Sequence, residues 1–171
     1  MPMKENTFQG LFVDHLRDLY DAEQQITQAL PVVIEAVSAD ELRKALEHHL
    51  ELTHGHVERL ERLFSDLGET PTGKSCKGME GLLEEGDEAI KNHSAGVLRD
   101  ALIIAGAQRI EHYEISGYGT AKAWAEELDL EDAVDLLDDT LDEEAEADEK
   151  LSSIATGGLL TEGVNQTAAA R

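Results

Sequence analysis

Val97-Leu98-Arg99-Asp100-Ala101-Leu102-Ile103-Ile104-Ala105-Gly106-Ala107-Gln108-Arg109-Ile110-Glu111-His112-Tyr113-Glu114 opens a stretch that runs to Leu128 without a proline. Its first half is as apolar as a buried helix, and at 1.5 Å rise per residue such a helix crosses a small domain. The row at helical spacing is Val97, Ala101, Ile104, Gln108, Glu111, Ile115 and Tyr118. Gln108 and Glu111 therefore fall mid-helix on a face that is apolar above and below them. A carboxylate in that position is costly unless it is paired, protonated or bound to a metal. A neighbouring Arg, His or Tyr is the ordinary partner of a buried Glu, so the other helices must decide between pairing and metal.

The composition supports a helical reading. The chain has 171 residues, enough for one domain with a sizeable core. Aromatic residues make up 4%, and Ala, Leu, Glu and Asp abound, which suits a bundle better than a sandwich or barrel. The net charge of −23 argues against binding nucleic acid or an anionic membrane, since both need clustered Lys and Arg. One cysteine, Cys76, excludes an intrachain disulfide and fits a reducing compartment. No apolar run is long enough to span a bilayer and no signal peptide opens the sequence, so the expected location is the cytoplasm.

Four long helices follow from the periodicity. Residues 1–6 read as a tail. Thr7 is the N-cap of a first helix reaching about Val37, with Pro31 expected to bend it. Glu23 lies on its row with Leu16, Leu19, Ile26 and Leu30. Ser38 or Asp40 caps a second helix that ends at Gly68. Glu51-Leu52-Thr53-His54 matches the Glu-x-x-His pattern of di-iron bundles, but Glu51 and His54 share the water-facing stripe with Glu47, Glu58 and Glu61. The inward polar residues are His49, Thr53 and His56, and His56 is the better ligand candidate. Gly68 to Ser94 is too long for a hairpin turn and reads as a crossover carrying a short helix over Met79–Ile90. Cys76 within it reads as an incidental loop thiol, the alternative being an exposed, mildly reactive one. The third helix is the stretch quoted above. The fourth runs from about Glu131 to Ala155, with Glu144 and Asp148 between Leu137 and Leu151 on its inward row. Residues 7–156 thus form the bundle, and residues 157–171 are a tail with no assigned structure.

Depth along a hairpin can be counted from its turn, because both helices rise equally. From a turn at Ala39, Glu23 stands level with Gly55, beside His56. From a turn at Asp129, Glu111 stands level with Ala147, beside Asp148 and near Glu144. All four helices therefore bring Glu23, His56, Glu111, Glu144 and Asp148 to one level. Four converging carboxylates repel unless they are protonated or bound to cations. A dinuclear centre answers that problem, and oxygen-rich ligation with one histidine suits Fe or Mn better than Cu. A metal-free network of protonated carboxylates and histidine is the alternative.

On these residues the chain resembles the YciF-like family of bacterial ferritin-like stress proteins. The resemblance rests on Leu19-Tyr20-Asp21-Ala22-Glu23-Gln24-Gln25 with Ala29-Leu30-Pro31, and on His49-Leu50-Glu51, Thr53 and His56-Val57-Glu58-Arg59-Leu60. Gln108, Glu111-His112-Tyr113-Glu114-Ile115, Tyr118-Gly119-Thr120, Glu143-Glu144, Asp148 and Leu151 complete it. It covers about Phe8 to Ala155. It implies an all-α, ferritin-like four-helix bundle with a long crossover between helices two and three. It also implies a homodimer, a dinuclear metal site and a link to stress responses. The chain departs from the ferritin-like pattern at Thr53, where a Glu is expected, and at Asp148, where a His is expected; Leu52 replaces a position often acidic in relatives.

Three function classes follow. A rubrerythrin-like di-iron oxidase or peroxidase would need electrons from a separate partner protein, because no rubredoxin-like cysteine set is present. A metal-binding stress protein would act through its dimer surface. A metal-free interaction dimer is the third. A DNA-protecting or iron-storing cage is least favoured, since the charge argues against DNA and nothing in the sequence argues for a shell. The homodimer expectation has its own signal in Leu98, Leu102, Ala105 and Gly119, a second apolar side of the third helix.

Overall fold

A computed structural model describes residues 7–158 and 161–170. Among them are six helices: α1 (Phe8–Ala36), α2 (Asp40–Leu67), α3 (Lys77–Asn92), α4 (Val97–Glu127), α5 (Glu131–Thr156) and α6 (Val164–Ala169). The long helices α1, α2, α4 and α5 form an all-α, ferritin-like four-helix bundle, and the crossover between α2 and α4 carries α3. None of these helices is long and apolar enough to cross a membrane.

Local chemistry sets the ends. The Thr7 hydroxyl accepts the Gly10 N–H at 3.0 Å and opens α1. α1 then continues through Pro31, which lies on its exposed side. Gly68, in the left-handed region at φ 64°, closes α2. The start of α2 differs from the sequence expectation: neither Ser38 nor Asp40 caps it. Ala39 holds the N-cap position with no side-chain hydrogen bond to the helix. Buried Asp100 of α4 instead fixes the turn before it, its two oxygens accepting the Ser38 and Ala39 N–H groups at 2.9 Å each.

Side-chain pairs give the helix directions. Between α1 and α4, Phe8 meets Trp124, His15 meets Gly117, and the Ser38 end meets Asp100. The two helices are therefore antiparallel. Between α2 and α5, Glu41 pairs with Lys150 and Arg59 reaches Thr140, again antiparallel. Because α1 and α2 form a hairpin, α2 runs parallel to α4, as a long crossover requires.

The core divides into two apolar clusters. One gathers Ile26, Leu30, Leu42, Leu46, Ile104 and Leu151. The other gathers Phe12, Leu16, Leu19, Leu60, Phe64 and Leu137. Every long helix passes from one cluster to the other, and at each passage its inward residues are polar.

α3 packs against α1 and α4 through buried Met79 and half-buried Leu82, Leu83 and Ile90. Cys76, just before it, is 0% exposed. Its Sγ lies 2.9 Å from the Tyr113 hydroxyl and 3.2 Å from Asp18 Oδ2, and its N–H donates to Asp21. Burial raises the thiol's pKa, so the exposed reactive thiol is excluded. Beyond Gly157, where the sequence offers no assignment, Gly157 bridges Glu162 and α6 packs on α4 and α5 with Val164 buried.

Candidate metal centre

The polar layer between the two clusters holds Glu23 from α1, His49, Thr53 and His56 from α2, Glu111 and Glu114 from α4, and Glu144 from α5, all buried. They reach one depth because the apolar rows of the four helices are interrupted at matching heights. Thr53 is occupied locally, donating its hydroxyl to the His49 carbonyl at 2.8 Å. The other six residues fall into two overlapping groups. His49, Glu111, Glu114 and Glu144 each offer one ligand atom within 4.8 Å of the others, and Glu23, His56 and Glu144 do the same. Either group has the spacing to hold a metal ion, and Glu144 belongs to both.

Hydrogen bonds satisfy few of these atoms. Glu23 Oε1 accepts from the Tyr118 hydroxyl at 2.5 Å. His56 Nε2 lies 2.9 Å from Glu143 Oε2. Apart from the charge contacts of His56 Nδ1 with Glu144 Oε1 at 3.0 Å and of His49 Nε2 with Glu111 Oε1 at 3.6 Å, no well-aligned hydrogen bond reaches Glu23 Oε2, either nitrogen of His49, His56 Nδ1, Glu111 Oε2, or either oxygen of Glu114 and Glu144. Buried polar atoms rarely go unpartnered, and such a concentration needs an explanation. A metal pair supplies one: all the unpartnered atoms are hard or borderline donors of the kind that Fe and Mn accept.

The electrostatics match. Burial pushes the Glu111 and Glu114 carboxyls well above the usual range, reinforced by Glu144 and Glu23. Burial also disfavours charge on His56, but Glu144 at 3.0 Å and Glu23 at 3.4 Å outweigh it and raise the imidazole to about 10. Burial of Glu144 works upward, yet Glu111 and His56 hold its carboxyl down to about 2. His49 goes the other way, its pKa lowered by burial. Without a cation the layer must therefore keep protons on some carboxyls and on His56.

The structure brings together four of the five ligand candidates: Glu23, His56, Glu111 and Glu144. Asp148 stands apart. Its carboxylate accepts from Gln108 Nε2 at 3.0 Å, faces His112 Nε2 at 3.1 Å, and is partly exposed. Glu51 and His54 point to solvent, as their stripe requires. The layer adds Glu114, which the sequence reading misses, and His49, which it places inward without counting it as a ligand. Glu114 lies three residues after Glu111 and four before Tyr118, on one face, a spacing that hydrophobicity alone does not single out on this helix.

Glu143 completes the surroundings. Arg59 grips both its oxygens at 2.5 and 2.8 Å and keeps its pKa low. An ionised Glu143 accepts the Nε2–H of His56, which leaves Nδ1 aimed at Glu23 and Glu144. Histidine ligands are commonly fixed in this way by an outer carboxylate.

The chain matches a family described as a domain of unknown function, DUF892, over residues 7–169. It is 38% identical over 165 residues to Protein YciF of Escherichia coli strain K12, covering 96% of this chain and 99% of that protein. The crystal structure of the E. coli stress protein YciF superposes with a TM-score of 0.83 at 40% identity, covering 86% of this chain and 94% of that one. YcfI from Rhodopseudomonas palustris superposes with a TM-score of 0.86 at 43% identity, over 91% and 99% of the two chains. A Xanthomonas campestris protein at 17% identity and a TM-score of 0.70, covering 86% of this chain and 89% of that one, shares the fold. A family match over nearly the whole chain, joined to a full-length relative, shows that this protein belongs to the DUF892 family, the YciF-like proteins.

Proposed function

We propose that the protein is a stress-response metal protein that binds two Fe or Mn ions in the polar layer and works as a homodimer. The observation that carries the metal reading is the pair of ligand groups sharing Glu144, lined by unpartnered buried atoms. Glu23 and His56 would hold one ion; His49, Glu111 and Glu114 the other; Glu144 would serve both. Four carboxylates then balance two divalent ions in charge. The stress role rests on similarity to the E. coli stress protein YciF.

Redox exchange with oxygen or peroxide is the chemistry that bound Fe or Mn would supply in such a layer. The chain's own part is to orient and exclude. Glu143 and Arg59 set the His56 ring, the Tyr118 hydroxyl holds Glu23 Oε1, and the two apolar clusters keep water from either end. Cys76 is buried, so electrons for an oxidase would come from a separate protein.

Metal analysis of protein purified without chelator tests the centre. Two Fe or Mn per chain is the expected result, and none after reconstitution with Fe(II) or Mn(II) would end the reading. Anaerobic Fe(II) addition followed by O₂ separates an oxidase, which develops a visible absorbance, from a protein that only holds metal. For the dimer, Leu98 is 56% exposed and Leu102 39%, with Ala105 exposed beside them on α4. These residues do not pack beneath α3, which leaves an apolar strip for a second copy. Sedimentation at micromolar concentration should give a dimer; a monomer would refute it.

A further inference from the structure

A cleft of about 390 Å³ opens between α1, α3 and α4 and ends on the polar layer. Its size lies within the ~300–1,000 Å³ usual for small-molecule sites. Ile26, Leu30, Val33, Leu83, Ile103 and Ile110 form its walls. Two polar residues form its floor, His49 and Glu111, both buried. His49 Nε2 faces Glu111 Oε1 at 3.6 Å, but neither ring nitrogen of His49 has a hydrogen-bond partner, nor does Glu111 Oε2. At the rim, α3 contributes Glu80, Glu84 and Asp87, and among the described residues no Lys or Arg lines the cleft.

We propose that this cleft binds an uncharged, chain-like apolar molecule bearing one oxygen function, with that oxygen innermost at His49 and Glu111. The walls reward burial of hydrocarbon, at about 25 cal/mol per Å². The unpartnered floor atoms reward a polar inner end, since leaving them unmatched costs more than a hydrogen bond returns. The acidic rim and the overall charge repel carboxylates and phosphates. Ions have a route of their own. A second cleft, of about 410 Å³, reaches the same His49 and Glu111 between α2 and α5, past Glu41, Lys44, Glu146 and Lys150. The apolar cleft therefore need not carry metal or charged solutes. This inference concerns the cleft itself; only the claim that the ligand's oxygen lies beside a metal rests on the proposed centre.

Gly106 provides the means of testing it. It lines the cleft, and a Cβ placed there meets nothing within 4 Å. Gly106→Leu should fill the space without moving backbone, and Ala107→Leu, also on the lining, adds bulk from the next position. Gly81→Leu on α3 is the control, since Gly81 is equally open but not part of the lining. The probe is 1-octanol, titrated by calorimetry into full-length, metal-free protein. Binding should occur, should shift the backbone amide signals of Ile103, Ile110, His49 and Glu111, and should weaken at least tenfold in both filling variants. Gly81→Leu should bind as wild type does, and the melting temperatures should show all three variants folded. Octanoate and octylammonium should bind at least tenfold more weakly than 1-octanol. In Mn(II)-loaded protein, C1 of ¹³C-labelled 1-octanol should relax faster than C8. Absence of 1-octanol binding, unchanged binding in folded filling variants, preference for octylammonium, or faster relaxation at C8 would each overturn the proposal. Protein that retains no Mn(II) but binds 1-octanol at the expected residues would refute the metal centre and leave the cleft site standing. Retained Mn(II) without 1-octanol binding would do the reverse.

Discussion

His56 shows how much of the centre depends on one ring. Nε2 faces Glu143 at 2.9 Å while Nδ1 faces Glu144 and Glu23. Glu143→Gln keeps the size of the side chain but replaces its carboxylate with an amide that can turn its NH₂ toward Nε2. The imidazole then loses its fixed orientation, and Mn(II) affinity should fall roughly 10–100-fold, as for other outer partners of histidine ligands; titration followed by electron paramagnetic resonance would measure it. A second set of substitutions separates ligands from bystanders. Glu111→Ala and Glu114→Ala should lower bound metal sharply, whereas Glu51→Ala, His54→Ala and Asp148→Asn should leave it near the wild-type level by elemental analysis. Equal losses throughout would mean that the buried layer is not where metal binds. Four of the layer's six acidic and histidine residues, Glu23, His56, Glu111 and Glu144, were legible in the sequence because each lies on an inward row with apolar residues above and below it. Glu114 was not, because α4 carries small and apolar residues on several sides, and its phase is poorly defined by hydrophobicity. The row through Gln108 and Ile115 lies beside the true one, which passes through Ala107, Glu111, Glu114 and Tyr118.

At the scale of elements, the clearest departure from local reading is the start of α2. Sequence rules look for a cap within a residue or two of the helix, and Ser38 and Asp40 both qualify. What holds that turn instead is Asp100, about sixty residues away in the chain, which accepts the Ser38 and Ala39 N–H groups, and no local pattern can reveal it. Asp100 thereby ties the α1–α2 turn to the first turn of α4. Asp100→Ala would leave two backbone N–H groups without their partner and should destabilise the fold by about 2 kcal/mol. Urea unfolding should show a lower midpoint with an unchanged slope. Asp100→Asn should recover part of the loss, since one amide oxygen remains to accept. The helices themselves, the N-cap at Thr7 and the stop at Gly68 were all legible, because each depends on residues adjacent in the chain. The burial of Cys76 was not, because it is fixed by Asp18, Asp21 and Tyr113, which lie far from it in sequence.

For the molecule as a whole, the polar layer makes stability depend on pH and metal together. Glu111 and Glu114 have folded pKa values above the ordinary 4.5, so the folded state holds their protons longer than the unfolded chain does. Their contribution is present below about 4.5 and is lost as pH rises through the folded values. His56, raised from 6.5 to about 10, likewise contributes fully below 6.5 and loses that contribution as pH approaches 10. Glu144 and His49 act at the acid end. Glu144, lowered to about 2, contributes above 4.5 and loses this as pH falls toward 2. His49, also lowered, contributes above 6.5 and loses this as pH falls through its folded value. Above pH 6.5 the remaining shifts all have one sign, and metal-free protein should lose stability from there toward pH 10. Metal bound to the same layer reverses that slope, because it favours the deprotonated ligands and binds only the folded state. The rise in melting temperature given by Mn(II) should therefore be large at pH 8 and shrink as pH is lowered toward 5, where protons compete for Glu111, Glu114 and His56. Divalent ions also screen a charge of −23, so Mg(II) at equal ionic strength is the control. If Mg(II) raises the melting temperature as much as Mn(II) does, and Glu111→Gln leaves the difference unchanged, the stabilisation comes from the surface and the layer holds no metal.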